Sequence, residues 1–209
     1  RSRTRFARCK FLTRAAWGAD ESIRFNAAGA EIWPGTYWPV QTITVHHTAD
    51  GSTNPDPAAR VRSIYRNDTV GKGYGDIGYQ FLIDSTGTVY EGRYSGADGV
   101  PGFNADGLMV NGAHTAGFNA GNVGIALLGD FSSALPTDAA QHALVSLLAK
   151  LTQWHGIDPL AKVHYVNPIS GDQADVQSIP GHRDWMATLC PGEQFYPLLA
   201  QVRQDVAAR

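Results

Sequence analysis

Only two cysteines, Cys9 and Cys190, occur in 209 residues, which excludes a scaffold held by several disulfides. One bridge between them stays arithmetically open. No apolar run approaches the roughly 20 residues of a membrane-spanning helix. Neither sign of charge dominates: 17 Lys and Arg stand against 19 Asp and Glu, a formal net charge of −2, which does not describe a general nucleic-acid binder. Internal repeats and low-complexity segments are also lacking, so solenoid and disordered classes fall away. What is left is a globular composition, 43% hydrophobic and 17% charged, in a chain long enough to bury a full core without staples.

The basic residues are unevenly placed. RSRTRFARCK, residues 1–10, holds five of them and no acid. It reads as a leader or linker end, with a patch for an anionic polymer or membrane surface as the alternative. The division is a tail over 1–12 and one domain over 13–209. Trp17, beside Gly18, is expected to pack the start of the domain onto its core. Residues 22–40 read as a loop. Gln41–His46 is β-branched and reads as a strand. Apolar spacing predicts a helix over Ala58–Asn67, ended by Gly71-Lys72-Gly73-Tyr74-Gly75. These glycines follow a helix rather than a strand, which argues against a phosphate loop. Ile77–Ile83 and Thr88–Gly92 read as strands joined by the turn Asp84-Ser85-Thr86-Gly87. Residues 94–122 carry seven glycines and read as a long functional loop. Val123–Leu128 reads as a buried strand. Leu144, Leu147, Leu148, Leu151 and Trp154 mark a helix capped by Thr137 and ended near Gly156. A short strand over Val163–Ile169, a loop over 170–180 and a terminal helix over Glu193–Val206 complete the chain.

The stretch Pro180–Gly192 holds His182 and Cys190 eight positions apart among glycine and proline. Imidazole and thiolate are ligands that Zn²⁺ prefers, and a shaped loop can turn both toward one point. A third ligand is best supplied by His46 or His47 at the end of the first strand. Three protein ligands with an open position is the layout of a catalytic zinc.

The motifs RAAWGA, ITVHHTA, DIGYQFLID, GTVYEGR, GAHTAGFN, VGIALLGDF and GHRDW…TLCPG occur in that order from about Thr13 to Val206. Together they make the chain resemble the peptidoglycan recognition protein and zinc-dependent N-acetylmuramoyl-L-alanine amidase family. The resemblance implies a single α/β domain, with a central mixed sheet flanked by helices and a zinc cleft on one face. It implies cleavage of the amide between N-acetylmuramic acid and L-alanine of peptidoglycan. It makes His46, His182 and Cys190 the zinc ligands and gives Tyr79 and Thr188 catalytic positions beside the metal. It places His114 and Asn119 in the substrate groove, and His47, Gly73 and Tyr74 are added as substrate contacts. A Gly-Trp pair before DIGY goes with diaminopimelate in the stem peptide, so Gly73-Tyr74 leads to the same preference here. A more distant amidase branch has Glu where this chain has Ala126, so no carboxylate base is assigned.

Three functions follow as alternatives: a zinc amidase, a non-catalytic module that binds muropeptides, and a cysteine hydrolase using Cys190 with His182. Family members that have lost catalysis typically lack the zinc cysteine, which this chain keeps. The third reading is weakened because the CPG turn offers no helix N-terminus to activate the thiol. A peptidoglycan partner implies a protein that acts outside the cytoplasm, and a monomer is expected.

Overall fold

The computed structural model describes Phe6 and residues 9–50 and 55–209. Its centre is a five-stranded mixed sheet in the order β1-β5-β4-β7-β3. The strands are β1 (Phe11–Leu12), β3 (Thr42–His47), β4 (Phe81–Ile83), β5 (Val89–Glu91) and β7 (Asn122–Leu127). β3 and β4 flank β7 in parallel, β5 runs antiparallel to β4, and β1 joins β5 in parallel. Two ribbons lie outside this sheet: β2 (Tyr37–Trp38) with β6 (Met109–Val110), and β8 (Lys162–Val166) with β9 (Gln173–Gln177).

The period of two along each strand divides the core into two layers. Ile43, Val45, Val123, Ile125 and Leu127 face one side and pack on α3 (Asp138–His155) and α4 (Leu199–Ala207). Leu82, Tyr90 and Ala126 face the other, with Trp17 from α1 (Arg14–Trp17) and Val61 and Tyr65 from α2 (Pro57–Arg66). On that second side the strand ends carry Thr42, Thr44, His46 and Asn122, all buried polar residues. A polar floor under an apolar layer is where a site can form.

Each helix starts and stops for a local reason. Thr137 accepts the Ala140 N–H at 3.2 Å and Gly156 closes α3 at φ 66°. Asp56 accepts the Ala59 N–H at 3.1 Å and Pro57 opens α2. Leu144, Leu148 and Leu151 are fully buried on one face of α3, each contributing about 1.5–3 kcal/mol.

Several boundaries differ from the sequence expectation. Ile77–Gln80 is not strand; it is an irregular approach to β4 that places Tyr79. Residues 22–40 overlap a 3₁₀ turn (Glu21–Arg24) and contain β2, and the glycine-rich 94–122 contains β6. The expected loop 170–180 holds β9, which pairs with β8. Most of the basic stretch 1–10 lies outside the described residues. Yet Phe6 is fully buried against Phe11, Phe81, Phe103 and Trp154, and Phe11–Leu12 is paired as β1. Packing thus takes in residues placed in the tail. Cys9 and Cys190 do not bridge: Cys9 packs beside the first core layer, and Cys190 lies in the site.

Candidate active site

His46 ends β3 on its second side, one residue from the strand terminus. The segment after β9 runs beside β3, with Ile43 N–H donating to Ser178 O at 3.0 Å and Val45 N–H to Pro180 O at 2.9 Å. This zipper delivers the loop 181–192 to the end of β3. The loop is closed by Arg183 N–H on Cys190 O at 3.1 Å and Gly192 N–H on Leu189 O at 2.8 Å. Asp184 accepts the Gly181 N–H at 2.8 Å and the Tyr196 hydroxyl. Asp184 therefore holds its own loop.

The result is a trio: one ligand atom each from His46, His182 and Cys190, all within 4.8 Å of one another. The His46 and His182 rings are 4.5 Å apart, and Cys190 Sγ is 3.7 Å from His46 Nδ1. His182 Nε2 is buried without a hydrogen-bond partner. A buried nitrogen of that kind is costly unless something binds it, and His182 belongs to the group of three whose ligand atoms converge. Burial holds both His46 and His182 below the usual imidazole range, which keeps them neutral, the form that binds metal. Burial pushes the Cys190 thiol up to about 11, against the opposing pull of the His47 N–H and Arg183. A thiol so shifted is a poor free nucleophile, which counts against the cysteine-hydrolase reading. A bound cation would draw its proton off. The His47 N–H already points at the sulfur, at 3.4 Å.

Tyr79 stands edge-on to His46, ring centroids 5.3 Å apart. Burial holds its phenol well above the usual range, so it keeps its proton. Thr188 is half-buried on the same loop as Cys190 and accepts the Cys190 N–H at 3.2 Å. From Tyr79 a cleft of about 400 Å³ runs along α2, lined by Thr48, Asp50, Arg60, Asn67, Asp68 and Lys72. Its charges are paired, Arg60 with Asp50 and Lys72 with Asp68 at 2.8 Å. These wall residues were missed in the sequence, although Arg60, Ser63 and Asn67 form a polar stripe at helical spacing opposite Val61 and Tyr65.

Of the expected substrate contacts, His47, His114 and Asn119 are held by bonds within the protein. His47 alternates to the first side of the sheet, 6% exposed, where its Nδ1 accepts the Phe131 N–H at 3.2 Å. His114 is 8% exposed and lies behind His46, with His114 Nδ1 2.9 Å from His46 Nε2. Asn119 spends its side-chain oxygen on the N–H groups of His114 and Thr115. Gly73 and Tyr74 are exposed on the loop after α2, Gly73 at φ 72° and the Tyr74 ring edge-on to Trp33. Trp33 itself carries the Arg93 guanidinium at 3.8 Å, a packing role.

A buried ionic knot supports the turn before Tyr79. Asp76, with no exposed surface, pairs with Arg14 and Arg93 at 2.9 Å each. It also accepts the N–H groups of Ile77 and Tyr94, while Arg93 reaches the carbonyls of Trp33 and Asn111.

The family model for N-acetylmuramoyl-L-alanine amidase matches residues 36–193. A human N-acetylmuramoyl-L-alanine amidase is 33% identical over 165 residues, 77% of this chain but 24% of the human protein. Drosophila peptidoglycan recognition protein SD superposes with a TM-score of 0.66 at 27% identity, covering 92% of this chain and 94% of its own. Peptidoglycan recognition protein LE in complex with tracheal cytotoxin, a monomeric diaminopimelic acid-type peptidoglycan, superposes at 0.65 with 25% identity over 91% and 92%.

Proposed function

The chain belongs to the N-acetylmuramoyl-L-alanine amidase family, and from that premise we propose that it hydrolyses the amide between N-acetylmuramic acid and L-alanine in peptidoglycan, using zinc held by His46, His182 and Cys190. The observation that carries this reading is the convergence of one ligand atom each from His46, His182 and Cys190 within 4.8 Å of one another, beside Tyr79, which also lines the cleft along α2. Bound there, zinc supplies a Lewis acid and activates water.

The protein's own groups do the rest. Neutral His46 and His182 and the Cys190 sulfur hold the ion, and the thiolate lowers the net charge of the centre. That makes uncharged donors to the developing oxyanion more valuable. Thr188 offers its hydroxyl proton to the scissile carbonyl oxygen. Tyr79 keeps its proton at neutral pH and donates it toward the oxyanion or the departing alanine nitrogen. The cleft along α2 takes the stem peptide. Because peptidoglycan lies outside the cytoplasm, the protein acts there.

A second reading, a recognition module without turnover, is favoured by the relatives named recognition proteins. Mass spectrometry of peptidoglycan digested by the purified chain separates the two. Release of peptides with a free L-alanine amine supports the amidase, whereas binding without release supports recognition alone.

A further inference from the structure

We propose that His114 is a positioning residue for the metal centre: it fixes which nitrogen of His46 carries the proton, and so aims the other at the point shared with His182 and Cys190. This rests on the zinc reading above. The chain of bonds starts from a group with one possible role. The carbonyl oxygen of Asn122, at the start of β7, can only accept, and His114 Nε2 lies 2.8 Å from it. That nitrogen therefore carries hydrogen. A neutral imidazole has a single N–H, so His114 Nδ1 is an acceptor. Thr115 Oγ1 reaches it at 3.0 Å and His46 Nε2 at 2.9 Å. Two nitrogen lone pairs facing each other at that distance would repel, so His46 Nε2 carries its proton. The lone pair of His46 is left on Nδ1, the atom 3.7 Å from Cys190 Sγ. The opposite tautomer would turn an N–H toward the ligand point and could not hold a cation there.

The surroundings are shaped to this ring. Asn119 clamps the backbone of His114 and Thr115 through one oxygen, at 2.9 and 2.8 Å. A Cβ at Gly124 would lie 2.5–2.8 Å from three atoms of the His114 ring, so glycine there lets the imidazole lie against β7. Among the described residues, no carboxylate hydrogen-bonds to His46 or His114. The relay thus passes the polarity of a backbone carbonyl to His46 without adding charge to a centre that already holds a cysteine sulfur.

The test combines long-range ¹H–¹⁵N spectra of the histidine rings with zinc titration against a chromophoric chelator, on the wild-type chain, His114→Leu and His114→Asn. In the zinc-loaded wild type, His46 is expected to be protonated at Nε2 and metal-bound through Nδ1. His114→Leu is expected to bind zinc about 10- to 100-fold more weakly. His114→Asn, whose amide oxygen can accept from His46, should recover much of that loss. Binding of His46 through Nε2, or a folded His114→Leu chain with wild-type zinc affinity, would overturn the inference while leaving the metal centre intact. A wild-type chain that takes up no zinc would overturn the metal centre and this inference together. Should His114→Leu not fold, the wild-type ring spectrum decides alone.

Discussion

The hydroxyl oxygen of Thr188 accepts the backbone N–H of Cys190 at 3.2 Å, so the loop that presents the sulfur also orients the hydroxyl beside it. One lone pair is used in this bond and the proton stays available for substrate. Thr188→Val should therefore lower kcat by about 10²- to 10³-fold, the range for loss of one oxyanion donor, with zinc content and KM little changed. Thr188→Ser should keep most of the activity. Steady-state kinetics on a defined muropeptide, with metal analysis, tests this; a change confined to KM would assign the hydroxyl to ground-state binding.

Tyr79 gives a related but separable expectation. Because burial holds its phenol protonated well beyond neutral pH, the alkaline limb of the rate profile should not be its titration. Tyr79→Phe should lower the plateau of kcat and leave the shape of the pH profile in place. A profile whose alkaline limb disappears in Tyr79→Phe would show that the ionised phenol matters instead.

Removal of the sulfur tests the ion itself. Cys190→Ser should lose most bound zinc and nearly all turnover while its circular dichroism stays native, since both core layers form without the trio. Chelation of the wild type should abolish activity, and added zinc should restore it. Full activity in Cys190→Ser would refute the zinc mechanism.

Far from the cleft, His155 provides a pH marker. It ends α3, stacked against Phe103 and Trp154, and burial pushes it down to about 4. A cation at a helix C-terminus would normally be favoured, but here burial wins. The unfolded chain takes up this proton near pH 6.5 and the folded chain only near 4. The stability it contributes is therefore complete above about pH 6.5 and is lost as pH falls toward 4. Thermal unfolding of chelator-treated wild type should show falling Tm over that window, and His155→Phe should fall less. Parallel curves for the two proteins would contradict the assignment.

The stem peptide offers the last test. Gly73 and Tyr74 stand exposed beside the cleft, and the Lys72 ammonium lies 5.4 Å from the centre of the Tyr74 ring. The glycine leaves room and a free N–H for a further carboxylate, and the tyrosine supplies a wall and a hydroxyl donor. With a charge-assisted bond worth about 1.5–3 kcal/mol, diaminopimelate-type muropeptides should be cleaved with kcat/KM roughly tenfold or more above lysine-type ones. Equal rates on matched substrates, or faster cleavage of the lysine form, would sink the preference.

Much of this was legible before any coordinates. Thr137, the leucines of α3 and Gly156 announce a helix through capping and spacing, because both act locally. His46, His182 and Cys190 announce a candidate ligand set by residue type, and the structure brings their ligand atoms within 4.8 Å of one another. The position of His114 was not legible, because it depends on Gly124 leaving a space and on the carbonyl of Asn122. Both facts belong to strand register, not to the GAHTAGFN motif. The two-residue β6 was hidden for a similar reason: Met109 and Val110 are held by pairing with Trp38 and Tyr37 far earlier in the chain, and two residues are too few to show a strand period. Arg60 and Lys72 read as ordinary surface charges until α2 and the approach to β4 are brought side by side.

The knot of Arg14, Asp76 and Arg93 has a consequence on an evolutionary timescale. Breaking a buried pair leaves an unpaired charge costing roughly 3–5 kcal/mol, a large part of the stability of a small domain. A lineage that leaves this arrangement one mutation at a time passes through chains that have lost much of their stability. The turn beneath Tyr79 is thereby expected to change slowly in descent. Lys72 and Tyr74, on the surface a few residues upstream, bear no buried charge and change at lower cost. Diversification of this domain should therefore run through that rim, over a frame that inheritance holds still.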